Sequence, residues 1–257
     1  MITNYVWFDG EFIPLKKARA YFKNNPRYQA PSVVEGMRSY NTERGAAVFR
    51  LHEHVTHFVA HVEEMGFTLD EYRELSLSSA ILRTIMVNNL SECHVRLQLF
   101  MQLPKKLRGD STIVPKILIT ATALIDDPLK LTVDGYEVDY TGETLFVVAD
   151  NVVFAEPEAE HTDTVARETA IELIQAIDHS IVVTPFSAEL LQSCDEAFAV
   201  STQNEVRPVS IVGDTPINAG SDQPITTALQ ALYSATARGE TKQSLGWVDY
   251  VTMEPLF

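Results

Sequence analysis

Tyr5-Val6-Trp7-Phe8-Asp9-Gly10-Glu11-Phe12-Ile13-Pro14 sets aromatic and β-branched residues on both sides of Asp9-Gly10. That dipeptide supplies the positive backbone angles a two-residue turn requires, so the stretch predicts a β-hairpin. A second hairpin is predicted where Asp150-Asn151 separates Leu145 to Ala149 from Val152 to Phe154. Between them, Val55, Phe58, Val59 and Val62 recur at helical spacing within His52 to Met65, and Tyr72, Leu75, Ile81, Leu82, Ile85 and Met86 mark a second helix. His94 to Met101 alternates Val95, Leu97 and Leu99 with Arg96, Gln98 and Phe100, the pattern of a half-buried strand whose other face carries polar groups. Lys116 to Leu124 reads as an apolar strand. Ala166, Ala170, Leu173, Ile174 and Ile177 predict one later helix, and Ile225, Ala228, Leu229 and Leu232 another that starts near Pro224. Strands and helices mixed in this way imply two α/β or α+β units rather than a doubly wound sheet.

The stretch Leu103 to Ser111 holds Pro104, Gly109 and three basic residues, breaks both periodicities and is read as a loop between units. The expected domains are therefore 1–104 and 105–257. With 257 residues, 46% of them hydrophobic, the chain has enough length to bury a sizeable core. Its formal net charge of −15 sets 20 Lys and Arg against 35 Asp and Glu, too few cations to neutralise a phosphate backbone or an anionic bilayer. No nucleic acid and no membrane are expected as partners. Cys93 and Cys194 lie far apart, which predicts core thiols rather than a disulfide framework or a cysteine zinc site. Met1 to Gly10 lacks a basic stretch followed by an apolar one, and a cytoplasmic location is expected. There is no glycine-rich phosphate loop, internal repeat or low-complexity tract.

Several blocks carry a family resemblance in order and spacing. In the first half they are Trp7 to Pro14, Val34-Glu35-Gly36-Met37-Arg38-Ser39-Tyr40, Phe49-Arg50-Leu51-His52-Glu53-His54 and His94-Val95-Arg96. In the second they are Thr141-Gly142-Glu143-Thr144-Leu145-Phe146, Thr164-Val165-Ala166-Arg167-Glu168, Cys194-Asp195-Glu196-Ala197-Phe198, and Ser201 through Val209, with Gly246-Trp247 near the end. Together they resemble the fold-type-IV, or class IV, pyridoxal-phosphate enzymes of the branched-chain aminotransferase and aminodeoxychorismate lyase group. The resemblance implies an α+β, two-domain fold, like that of D-amino acid aminotransferase, with a shortened second domain, and a homodimer.

Such an enzyme needs a lysine to hold the cofactor, an acid at its ring nitrogen and donors for its phosphate. The resemblance sets the lysine between the strand at Lys116 to Leu124 and the block beginning at Thr141, where only Ile125 to Tyr140 is present. That bridge contains Lys130 but leaves no room for the family's extra strand, lysine loop and helix. Lys130 and Lys116 are both read as solvated strand-end lysines. By the same resemblance, the phosphate arginine falls on His57, one phosphate threonine on Ala166, the other on Thr202, and the ring-nitrogen acid on Asp139. Arg96 stands where a guanidinium meets a substrate carboxylate, with Arg38 nearby beside Glu35; either can equally be part of a structural ion pair.

His52, His54, His57 and His61 crowd one helix start; the spacing is not that of His-Glu-x-x-His, and a solvated helix face is expected in place of a metal site. The losses at the lysine, arginine and threonine positions predict a protein that works without pyridoxal phosphate. The leading expectation is a cofactor-independent enzyme that binds a small carboxylate or amino-acid-derived ligand through Arg96 and Arg38, with Asp139 and Thr202 in the pocket and His57 or His94 moving protons. A non-catalytic pseudoenzyme serving as a binding or regulatory subunit is the alternative, and an active aminotransferase with a displaced lysine is the third reading.

Overall fold

The computed structural model describes residues 3–23, 33–69, 74–102, 114–124, 142–158, 163–209, 211–212, 215–216 and 223–252. The chain forms two compact units, Met1–Tyr140 with Gly246–Phe257, and Thr141–Leu245.

The first unit begins with the expected hairpin, β1 (Tyr5–Phe8) and β2 (Glu11–Pro14). Asp9 and Gly10 both have positive φ, 49° and 99°, which is the turn chemistry that the sequence supplies there. A short helix α1 (Leu15–Lys23) follows, then β3 (Val33–Thr42), β4 (Gly45–Phe49), α2 (Leu51–Glu64), α3 (Glu74–Val87), β5 (Cys93–Gln102) and β6 (Val114–Ala123).

In the second unit, β7 (Thr144–Ala149) and β8 (Val152–Ala155) form the other expected hairpin, with Asp150 and Asn151 at φ 49° and 63°. They are followed by α4 (Thr164–Ala176), β9 (Ser180–Val183), α5 (Ala188–Ser193), β10 (Glu196–Ser201), β11 (Glu205–Pro208), the two-residue strands β12 (Ile211–Val212) and β13 (Thr215–Pro216), and α6 (Pro224–Ala237). The chain then returns to the first unit as β14 (Val248–Tyr250).

The first unit is built on an antiparallel sheet in the order β14-β4-β3-β5-β6-β1-β2. One face is apolar because the residues that alternate on it, among them Met37, Val95, Leu97, Ile119 and Ala121, are buried against Val55, Phe58 and Val62 of α2 and Ile81 and Ile85 of α3. On the other face a smaller cluster packs Ala18 and Phe22 of α1 on Val6, Phe100 and Leu118. The second unit has a sheet in the order β11-β10-β7-β8-β9, in which only β8 and β9 run parallel.

The boundary expected after residue 104 is corrected. β5 and β6 pair antiparallel from Cys93↔Ala123 to Gln102↔Val114, so the Pro- and Gly-bearing stretch joins two neighbouring strands of one sheet. The units divide between Tyr140 and Thr141. Both cysteines are buried, as expected; burial pushes the Cys93 thiol up to about 12 against a weaker opposing hydrogen bond from Ser39, which leaves it inert as a nucleophile. Among the described residues no helix is long and apolar enough to cross a membrane.

One buried amide fastens the start of the sheet to α3. Asn88 Oδ1 accepts from the backbone N–H groups of Asn4 and Tyr5 at 2.7 and 2.9 Å, and its Nδ2 donates to the carbonyls of Tyr5 and Thr84, both at 2.8 Å. Asn88→Ala removes the acceptor and strips those backbone groups of their partner, so unfolding free energy should fall by about 2 kcal/mol. Urea denaturation checks this: the midpoint drops while the slope is unchanged, and an unchanged midpoint would contradict the role given to Asn88.

Candidate functional site

In the second unit, the N-terminus of α4 and the turn between β10 and β11 deliver three donors to one point. Asp163 is the N-cap of α4, and its Oδ1 accepts from Ala166 N at 3.1 Å. Its Oδ2 accepts from Thr202 N at 2.6 Å, and Oδ1 also accepts from Thr202 Oγ1 at 3.2 Å. The turn that presents Thr202 is braced on both sides. Asn204 N donates to Ser201 Oγ, and Asn204 Nδ2 and Arg207 Nη2 donate to the two oxygens of Glu143. Burial pushes the Glu143 carboxyl up, but the hydrogen bonds from Arg207 and Asn204 and the Arg207 charge outweigh it and hold the group below the usual carboxylate range.

In the first unit, register places a row of polar side chains on the sheet face opposite α2 and α3. Arg38 stands opposite His94 and His94 opposite Thr122; one step along, Gly36, Arg96 and Thr120 line up in the same way. Directly opposed residues share a face, and so do residues two apart on one strand, so Arg38, His94, Arg96, Thr120 and Thr122 point the same way. The Arg38 guanidinium lies 4.9 Å from the centre of the Tyr40 ring. Burial, followed by the positive charges of Arg38 and Arg96, lowers the His94 pKa to about 4. His94 is therefore neutral near pH 7, and the two arginines carry the positive charge of the row.

The sequence-predicted residues fall as follows. Arg38, Arg96 and His94 are brought together. His57 rides on α2, whose apolar side covers the other face of that sheet, so within the first unit it is not assembled with His94. Its neighbour His54 is the engaged histidine, with Nδ1 at 2.6 Å from Glu35 Oε1 in a partly buried pair. Glu35 thus partners His54, although the sequence set it near Arg38. Lys116 Nζ is held by the Asp9 carboxylate in a partly buried ion pair. Lys130 and Asp139 lie outside the described residues. Thr202 is placed at the three-donor cup, and Ala166 contributes there through its backbone N–H, for which the missing hydroxyl is irrelevant. The residue that sequence reading missed is Asp163; an Asp immediately before a helical period is an N-cap signal that could have singled it out.

No family model matches the chain. Curated relatives do. The branched-chain-amino-acid aminotransferase of Escherichia coli (strain K12) is 22% identical over 303 aligned residues, covering 97% of this chain and 98% of the relative. That of Pseudomonas aeruginosa is 22% identical, over 94% and 95%. Among solved structures, a T.th. branched-chain amino acid aminotransferase complexed with N-(5'-phosphopyridoxyl)-L-glutamate matches with a TM-score of 0.80 at 22% identity, over 98% of this chain and 100% of that one. The same enzyme with pyridoxamine 5'-phosphate also gives 0.80, and the form complexed with 4-methylvaleric acid gives 0.79.

These matches correct the expectation of a cofactor-free enzyme or a non-catalytic subunit. The curated relatives are aminotransferases along their whole length, solved relatives hold pyridoxal-type cofactors, and nothing in either group points to a branch without one. The expectation rested on losses at the lysine, arginine and threonine positions; at the threonine positions, backbone donors are present in Ala166 N and Thr202 N. The chain is a shortened, distant relative of the branched-chain aminotransferases and has the fold of the fold-type-IV pyridoxal-phosphate enzymes.

Proposed function

We propose that the protein is a pyridoxal-phosphate-dependent aminotransferase acting on branched-chain amino acids and the matching small 2-oxo acids. The observation that carries the reading is the convergence of Ala166 N, Thr202 N and Thr202 Oγ1 on a single anionic group in the second unit. Three such donors, two of them backbone N–H groups and one set at a helix N-terminus, have the chemistry a phosphate requires. They fit the phosphate end of the cofactor once the Asp163 carboxylate turns away. When bound, the cofactor supplies an electron sink for the carbon that loses its proton.

The chain's own residues supply binding and orientation. Arg38 and Arg96 offer guanidinium groups to a substrate carboxylate, in keeping with the small-carboxylate ligands of solved relatives. His94 between them stays uncharged near neutral pH; it adds a hydrogen-bonding edge without a third positive charge. Lys116 is occupied by Asp9, and Lys130 lies in the stretch where the resemblance sets the family's lysine, so the covalent hold on the cofactor is assigned to Lys130. A homodimer follows from the same resemblance.

The experiment is a titration of the purified chain with pyridoxal phosphate, followed by borohydride reduction and peptide mapping. One cofactor fixed per chain at Lys130, together with amino transfer from leucine or valine to a 2-oxo acid, is the expected result. Label scattered over surface lysines, or none, with no transfer, would overturn the reading.

A pH experiment checks the electrostatics of the arginine row. His94 has a folded-state pKa near 4, below its ordinary 6.5, so the unfolded chain takes up this proton first as pH falls. The stability that depends on keeping His94 neutral is complete above about pH 6.5 and is lost progressively towards pH 4. His94→Gln should flatten the stability profile across that window, measured as unfolding midpoint against pH. An equally steep fall in the variant would show that other groups set the slope.

A further inference from the structure

We propose that Asp163 is a built-in competitor for phosphate: its carboxylate holds the donors of the second unit's anion cup, and a phosphate group binds there only by displacing it. The proposal deepens the cofactor reading given above and rests on it for the identity of the natural ligand.

An N-cap carboxylate needs only the helix's own N–H groups. Ser187, at the start of α5, shows the ordinary case: its hydroxyl accepts from Leu190 N within the same turn. Asp163 does more. Besides Ala166 N, it takes the backbone and the hydroxyl of Thr202, thirty-nine positions along the chain and on a different element, and the Thr202 N contact at 2.6 Å is the shortest of the set. The carboxylate therefore ties the β10–β11 turn to the head of α4, and all three donors point at it.

A phosphate brings two negative charges and three acceptor oxygens, and cannot share these donors with a carboxylate at contact distance, because like charges so close in a partly buried site repel strongly. Asp163 is half-buried. Glu196 makes the contrast. It accepts from Ile225 N, Thr226 N and Thr226 Oγ1 at the head of α6 but is buried, and its donors all belong to one helix. Glu196 is a buried structural cap, whereas Asp163 is half-buried and holds donors from two elements, and on the proposal it yields to a stronger anion. The consequence is a cup whose apparent affinity for phosphate is lowered by a ligand the chain carries itself.

The test measures binding of sodium phosphate, pyridoxal phosphate and pyridoxal to the full chain by calorimetry, in the wild type and in Asp163→Ser and Asp163→Asn. Serine keeps the helix cap, and unfolding midpoints confirm that each variant folds. In Asp163→Ser, affinity for inorganic phosphate and for pyridoxal phosphate should rise by about ten-fold or more, since a repelling charge is gone and the two Thr202 donors are released. Asp163→Asn should give a smaller rise, and pyridoxal should bind all three proteins alike. Adding Thr202→Val to Asp163→Ser should reduce the gain by removing the hydroxyl donor. Equal phosphate affinity in wild type and both variants, or a gain left undiminished by Thr202→Val, would overturn the proposal. The readout does not depend on a lysine: a phosphate gain with no cofactor fixed by borohydride sinks the transaminase reading and leaves the competitor standing, and fixation in the wild type with no gain does the reverse.

Discussion

Three donors on one carboxylate tie together two elements of the second unit. Ala166 N belongs to α4 and Thr202 to the turn after β10, so the bonds to Asp163 fix where a helix head meets a strand turn. Charge-assisted bonds of this kind are stronger than neutral ones, and satisfying the head of α4 removes a cost the helix would otherwise carry. The brace behind the turn, from Glu143 to Asn204 and Arg207, keeps Thr202 in the same place from the other side. Stability and binding are therefore coupled at this point, because the interaction that shapes the cup also fills it.

The first unit contributes a different kind of order. Its sheet sorts residues by parity: the apolar set of β3, β5 and β6 faces α2 and α3, and the complementary set places Arg38, His94 and Arg96 side by side. A one-residue slip of β5 would turn His94 and Arg96 towards the core and Val95 and Leu97 away from it, so the hydrophobic face of the strand is what holds the arginine row in position. The neutrality of His94 follows from this placement, since burial and two flanking guanidiniums disfavour a further positive charge.

What could be read in the sequence was what local chemistry decides. Asp9-Gly10 and Asp150-Asn151 specify their hairpins because positive φ is a property of those residues in place. The helices α2 and α3 are legible because their apolar period is unbroken; α1 went unread, although Leu15, Ala18 and Phe22 line up at helical spacing. Non-local pairing was not legible. A Pro- and Gly-bearing stretch looks alike whether it joins two units or two strands, and only the β5–β6 ladder tells them apart. The site was half legible: Arg38, Arg96 and His94 share one sheet face of the first unit and Thr202 has its partner within the second, while Asp163 went unnoticed because its importance lies in a bond thirty-nine residues away. The cofactor expectation, drawn from losses at the lysine, arginine and threonine positions, is overturned by the whole-length match to branched-chain aminotransferases, solved relatives of which hold pyridoxal-type cofactors.

The most direct measurement of the central claim is a crystal structure of the wild-type chain grown with saturating pyridoxal phosphate. The account predicts the phosphate within hydrogen-bond distance of Ala166 N, Thr202 N and Thr202 Oγ1, with the Asp163 side chain turned out of the cup. A bound cofactor whose phosphate lies elsewhere, with Asp163 still on those donors, would contradict it.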